Sequence, residues 1–110
     1  MILVTTDAIP GREVERVIGL VRGNAVRGAP AQADFHAWLT NMVGGEIPEY
    51  TKLLAECREQ AIDRLVSDAR VRGADAVLGL KITSSEIANG AAEFLAYGTA
   101  VKLRGQAADS

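Results

Sequence analysis

The sequence has very little of the two residue types that most often bind soft metals. Its 110 residues include one cysteine, Cys57, and one histidine, His36. A single cysteine excludes a disulfide within the chain, which fits a reducing cytosol. One cysteine and one histidine cannot form a tetrahedral zinc site within one chain. Such a site would need symmetry to repeat them around an axis.

Long hydrophobic runs and blocks of one charge sign are also missing. No stretch approaches the ~20 apolar residues that span a membrane. The start, MILVTTDAIPG, lacks the basic residues and the long apolar segment of a signal peptide. The formal net charge is −2 and there is no basic block, which argues against a nucleic-acid partner. We therefore expect a cytoplasmic protein that binds neither membranes nor nucleic acid.

The composition that is present favours one folded domain. The hydrophobic fraction of 48% is sufficient for a core, and no low-complexity run interrupts the chain. Residues 1–104 are predicted to form the domain, and the polar residues 105–110 a flexible tail.

The stretch from Pro48 to Arg72 is the main helical pattern. Pro48 at its start and Gly73 after its end are typical of helix boundaries. Its apolar residues cover roughly half of the helix circumference, whereas one sheet needs a stripe of ~100°. The helix is therefore expected to be buried on two sides, by its own sheet and by a second subunit. Arg58 lies inside this apolar arc and is expected to need a partner. The arc contains Tyr50, Leu54, Cys57, Ala61, Ile62, Leu65, Val66 and Ala69.

A second, shorter helix is predicted over residues 34–43. Asp34 is a plausible N-cap, and the apolar positions follow helical spacing. They include the only tryptophan of the chain: Phe35, Trp38, Leu39, Met42 and Val43.

Four strands are predicted, over residues 2–6, 13–22, 75–83 and 92–103. In the second, the alternation breaks at Val17 and Ile18 beside Gly19, which indicates a bulge. Gly23 and Asn24 suggest a tight turn after it. In the third, Ala76, Leu78, Leu80 and Ile82 are expected on one face. In the last, the expected face contains Leu95, Tyr97, Thr99, Val101 and Leu103.

This order of elements predicts an α+β domain. Strands precede and follow the helices within a short chain, so we expect an antiparallel sheet with one long and one short helix on one face.

Few residues suggest chemistry. Gly44, Gly45 and Glu46 precede the long helix, where backbone N–H groups can bind an anion, although paired glycines more often make a turn. Cys57 and His36 are the candidate metal ligands, although a cysteine on an apolar helix face is usually a core residue. No glycine pattern has the context of a dinucleotide site. We find no catalytic constellation and expect a protein that is not an enzyme.

Several segments together resemble the YbjQ-like family of bacterial proteins, which is named for heavy-metal binding. They are TTDAIPGREV, GLVRGNAVR, LTNMVGGEIPEYTKLLAECREQA, GADAVLGLKI and AYGTAVKL. The resemblance extends from Ile2 to Leu103. It implies a dodecin-like α+β subunit, a homopentamer and a heavy-metal ligand. The sequence contains no Cys-x-x-Cys and no pair of histidines, so the metal ligands are not recognisable by residue type.

Three functions remain open from the sequence. The first is a non-enzymatic ring-forming homo-oligomer that binds a thiophilic metal ion. The second is a small-molecule or nucleotide carrier that holds its ligand between subunits. The third is an enzyme that uses Glu46, Glu86 or Glu93 at a subunit interface.

Overall fold

The computed structural model describes residues 1–28, 48–87 and 91–105. In chain order these contain β1 (Ile2–Leu3), β2 (Val14–Arg27), α1 (Pro48–Val71), β3 (Ala76–Glu86) and β4 (Ala92–Leu103). The predicted long helix and last strand are confirmed within one residue at each end. The predicted helix over residues 34–43 lies outside the described residues.

The sheet is mixed. Its four described strands lie in the order β1-β3-β4-β2. β2 and β3 each pair with β4 in the antiparallel sense, whereas β1 runs parallel to β3, with Ile2 opposite Ala76. The α+β class is confirmed, but the prediction of a purely antiparallel sheet is wrong. Parallel neighbours need a long connection, and β2 and α1 both lie between β1 and β3 in the chain.

β2 continues through Gly23 and Asn24, so the predicted turn there is wrong. Gly23 lies within the strand, and a glycine is needed there because the helix backbone lies directly above it. A Cβ at this position would lie 2.7 Å from the carbonyl carbon of Arg64 and closer still to backbone atoms of Ala61 and Leu65. The predicted bulge is confirmed, since the register with β4 shifts between Val17 and Gly19.

A second irregularity lies in β3. Its register with β4 shifts between Leu78 and Lys81, and Gly79 has a φ of 61°. The shift reverses the alternation of side chains, so Ala76 and Leu78 lie on one face and Leu80 on the other. The predicted single face from residue 76 to residue 82 is therefore wrong. β3 also extends to Glu86, beyond the predicted end.

The main core lies between α1 and the sheet, where α1 packs on β2 and β4. The helix contributes a fully buried residue at every fourth position: Cys57, Ala61, Leu65 and Ala69. The sheet contributes mostly small residues, namely Val21, Ala25, Val77, Ala96 and Ala100. Small side chains on both surfaces allow the close approach seen at Gly23.

The flanks of α1 are less buried than its central stripe. Ile62 and Val66 pack only partly against the core. Arg58 is 47% exposed and pairs with Glu59 at 3.5 Å, so it is not the buried charge that its place in the apolar arc suggested. A smaller cluster lies on the other side of the sheet, where Val4 and Ile9 cover Ala76, Leu78, Val101 and Leu103.

Candidate functional site

Cys57 lies in the centre of the helix–sheet core and is fully buried. Its Sγ donates a hydrogen bond to the carbonyl oxygen of Ala25 at 3.3 Å and lies 3.9 Å from that of Ala92. Soft metals prefer thiolate and thioether partners over carbonyl oxygens. Among the described residues no group of three or more His, Cys, Asp or Glu side chains could hold a metal ion. The described surroundings of Cys57 thus fit a small core residue and do not complete a metal site.

The other predicted ligands, His36, Gly44, Gly45 and Glu46, lie outside the described residues and stay predictions. Glu86 and Glu93 can be compared directly. Glu93 lies opposite Ser85 in the β3–β4 ladder, so both side chains are on one face of the sheet. Glu86 follows Ser85 in β3, and its side chain therefore lies on the other face. The structure therefore does not bring these two carboxylates together on one face, as acid–base chemistry between them would require.

The sheet face turned away from α1, hereafter the open face, is apolar along the first half of β2. Val17 is 62% exposed and Leu20 is 59% exposed, and Val14 and Val26 are also exposed. Cross-strand pairing places Val17 beside Val101 and Leu20 beside Thr99, whose partner on its other side is Leu78. Val14, Val17 and Leu20 thus continue the smaller core cluster toward β2 as one strip.

The sequence of β4 carries a partial signal for this strip. The predicted face of β4 with the large residues Leu95, Tyr97 and Val101 is correct as a set, but it lies on the open face. The helix covers the opposite face of β4, which carries Ala96, Gly98 and Ala100. Large residues directed away from the helix therefore mark a second packing surface.

A cavity of about 290 Å³ lies on the open face beside the N-terminal segment. Four of its side chains are aliphatic, and polar groups come from Asp7 and Thr99. Gly79 adds backbone with positive φ close to the Asp7 carboxylate. The cavity can accept a small apolar group that presents one hydrogen-bond donor. Its lining is Asp7, Val14, Val17, Leu78, Gly79, Thr99 and Val101.

A larger, polar cleft of about 520 Å³ lies between the end of β2 and the first half of α1. Arg27 bridges its walls, since Nε and Nη2 donate to Gln60 Oε1 at 3.3 and 3.2 Å. Arg27 Nη1 also lies 3.8 Å from Glu56. Both charge signs line the cleft and partly neutralise each other, so it has no clear preference for a charged ligand. The remaining lining is Lys52, Ala55, Glu59 and Asp63.

Among the described ionisable groups, Asp75 has the most distinct surroundings. The backbone N–H of Leu103 donates to its carboxylate at 2.9 Å, and Lys102 Nζ lies 3.3 Å away. The hydrogen bond from Leu103, together with the charges of Lys102 and Arg12, holds the pKa of Asp75 below its usual value despite partial burial. These contacts attach the α1–β3 connection to the end of β4, which is a structural role.

The comparison with protein families decides the identity. Residues 1–104 match the YbjQ family, described as "Putative heavy-metal-binding". The chain belongs to this family. It is 48% identical to a "UPF0145 protein" of Archaeoglobus fulgidus over 104 residues, which covers 94% of this chain and 96% of the relative. A "UPF0145 protein" of Psychromonas ingrahamii is also 48% identical, with coverage of 94% and 99%. Since archaeal relatives occur, a purely bacterial family is too narrow an expectation.

A solved structure shows a related fold. It is a protein of unknown function from Pediococcus pentosaceus, assigned to the DUF74 family, with a TM-score of 0.61. At 16% identity, with 94% of this chain and 98% of that chain covered, the likeness concerns the fold alone. In the described part of this YbjQ-like chain, no helix has the length and apolarity needed to cross a membrane.

Proposed function

We propose that this YbjQ-like chain is the subunit of a cytoplasmic, ring-forming homo-oligomer without catalytic activity of its own. The observation that carries the proposal is the apolar strip on the open face, formed by Val14, Val17 and Leu20. Soluble monomers rarely expose large contiguous apolar patches, and such patches usually mark interaction sites.

Burial of this strip would contribute appreciable free energy. Complete burial of a valine or leucine side chain contributes about 1.5–3 kcal/mol, so Val17 and Leu20, each more than half exposed, offer about 1–2 kcal/mol apiece. A head-to-tail contact requires a second, different surface. The half-buried flank of α1 at Ile62 and Val66 is apolar and suits this role. Repetition of one such contact closes a ring when the rotation between subunits is right. The expected number of five comes from the family resemblance.

The oligomer is tested by light scattering on an untagged sample at micromolar concentration. The expected mass is that of a pentamer of 11.6 kDa subunits. Val17→Asp should dissociate it, because the charge would be buried without a partner. Val71→Asp is the matched control, since Val71 is 85% exposed at the end of α1. A wild-type monomer that melts cooperatively would overturn the proposal, whereas a dimer or hexamer would discard only the number five.

The family description adds binding of a heavy metal, for which Cys57 is the one available thiol. The described surroundings offer it two backbone carbonyls, so a thiophilic ion would need donors such as His36 or residues repeated by symmetry. Elemental analysis of the purified, untagged protein tests whether any metal accompanies it.

The cavity on the open face favours a second candidate, a carrier of small molecules. Its aliphatic walls and single carboxylate at Asp7 would be enclosed when a second subunit covers the strip. Native mass spectrometry of the oligomer would detect a retained small molecule. A mass equal to that of the bare subunits would count against this candidate.

A further inference from the structure

The outer edge of β2 is the side of the strand that faces away from β4. Within the described sheet β2 is a terminal strand of 14 residues, and several of its side chains are exposed and apolar. A long, apolar edge strand is a template for pairing with another chain, and proteins protect such edges.

Three side chains of α1 and its C-terminal turn bind the backbone of this edge. Arg64 Nη1 donates to the carbonyl oxygen of Asn24 at 2.6 Å. The Arg22 N–H donates to Asp68 Oδ2 at 3.3 Å. Arg72 Nη1 donates to the carbonyl oxygen of Leu20 at 3.1 Å, and its Nε pairs with Asp68 at 3.3 Å.

The spacing of these contacts is regular. Four residues along a helix advance about 6 Å, and two residues along a strand advance about 6.6 Å. Arg64, Asp68 and Arg72 therefore match Asn24, Arg22 and Leu20 in register, with the helix running opposite to the strand. The charge of each side chain also fits, since the two guanidinium groups bind carbonyls and the carboxylate binds an N–H.

We propose that Arg64, Asp68 and Arg72 form an edge cap that closes β2 to strand addition by a second copy of this chain. The cap occupies one outward-directed backbone group at each of three alternate residues, and a docking strand would need these groups. With the cap in place, a second copy does not extend the sheet at this edge of β2.

The strand that the cap excludes is the second half of β3. β1 and the N-terminal segment pair with β3 only as far as Leu80, whose N–H donates to Val4. Residues 81–86 are all exposed, and no described strand lies on their outer side. Strand alternation after Leu80 directs the backbone of Ile82, Ser84 and Glu86 outward.

Pairing of this β3 segment with β2 of the next copy would join opposite edges of the sheet. Repetition of such a contact need not close and can give an open filament. The β3 segment carries charged side chains at Lys81 and Glu86, and charge is one of the devices by which edge strands resist pairing. β2 also carries charged residues, among them Arg22 in the capped stretch, and α1 adds to this protection by occupying backbone groups of the edge.

The test compares two triple variants with the same change of charge. Arg64→Ala, Asp68→Ala and Arg72→Ala remove the cap, whereas Arg58→Ala, Asp63→Ala and Arg70→Ala change exposed residues of α1 elsewhere. Light scattering is followed over days at constant concentration. The cap variant is expected to grow steadily beyond the wild-type mass with a rise in β-sheet signal, while the control variant keeps the wild-type mass.

Adding Ser84→Pro to the cap variant identifies the excluded strand. Proline removes an outward N–H that the β3–β4 ladder does not use, so growth should stop, whereas Ser84→Ala should leave it unchanged. A folded cap variant that keeps the wild-type mass would overturn the proposal. Growth that Ser84→Pro does not affect would overturn the assignment of β3 as the excluded strand.

Hydrogen exchange keeps the test decisive if the triple variant does not fold. In wild-type protein the Arg22 amide should be protected by Asp68, and Asp68→Ala should accelerate its exchange about tenfold, as expected for loss of a hydrogen bond to a charged group. Exchange of the wild-type Arg22 amide as fast as that of a free strand edge would refute the cap. None of these outcomes depends on the number of subunits in the proposed ring.

Discussion

Gly23→Ala tests the closest contact between α1 and the sheet. The added methyl group would lie 2.7 Å from the carbonyl carbon of Arg64, and closer to backbone atoms of Ala61 and Leu65, whereas ordinary contacts lie at 3.4–4 Å. Backbone on both sides cannot rotate away, so the helix must move outward by about 1 Å. A gap of this size forfeits a quarter to a half of the dispersion energy between the facing surfaces.

The expected loss of unfolding free energy is about 3 kcal/mol, at the upper end of the range for overpacked cores. Replacement of glycine by alanine in a strand would otherwise stabilise by about 0.5–1 kcal/mol, so the steric cost decides the sign. The net loss of unfolding free energy is then about 2–3 kcal/mol, which corresponds to a decrease in Tm of roughly 10–20 °C for a domain of this size.

The measurement is thermal and urea unfolding followed by circular dichroism at a fixed protein concentration, because oligomers melt at concentration-dependent temperatures. Gly105→Ala is the control, since no atom lies within 4 Å of the added methyl group there. If Gly23→Ala melts with the control, the helix does not lie on β2 as described, and the reason given for this glycine is wrong.

Three further predictions concern the core, the thiol and the pH dependence. Leu65→Asp should abolish soluble folding because an unpaired buried charge costs several kcal/mol. Leu54→Asp, at a half-buried position, should reduce stability less. Soluble expression and thermal melting distinguish the two variants. Mercury titration of Cys57→Ser should lack any high-affinity phase seen with wild type; an unchanged titration would move the search to His36 and the carboxylates. The pKa of Asp75 is lowered in the folded state, so its carboxylate stabilises the protein above about pH 4. This stabilisation is lost as the pH falls through the folded pKa. The urea midpoints of wild type and Asp75→Asn should therefore converge in acid.

Local pattern was sufficient to predict the elements with uninterrupted periodicity. The long helix has a proline at its start, a glycine after its end and a regular apolar stripe, and in β4 larger and smaller side chains alternate from Leu95 to Val101. The bulge beside Gly19 was also predicted, because the change of alternation and the glycine coincide there.

The errors arise where tertiary contacts decide the role of a glycine. Gly23 was interpreted as a turn residue because Gly-Asn pairs favour hairpins. A glycine is needed at this position because the helix backbone lies directly above it. This contact leaves no signal in the neighbouring sequence. Gly79 allows a register shift that turns Leu80 to the other face, and a single-sequence pattern cannot reveal on which residue such a shift falls.

The candidate surface was harder to predict than the fold. The exposed strip on β2 depends on which face of the sheet the helix covers, and alternation alone does not give this. The edge cap depends on a match between helix positions and strand positions that are 40 to 52 residues apart in the chain.

The division of β3 into two halves has a consequence for local stability. Residues 76–78 are buried, and Ala76 and Val77 are paired on both sides, whereas residues 81–86 are exposed and have one described neighbour. Opening of the second half sacrifices few buried contacts, so it can occur without unfolding of the core. Amide exchange along this one strand should therefore fall into two classes, slow up to Leu80 and fast after it. Limited proteolysis should cut the β3–β4 hairpin from its far end while the helix and β2 stay intact.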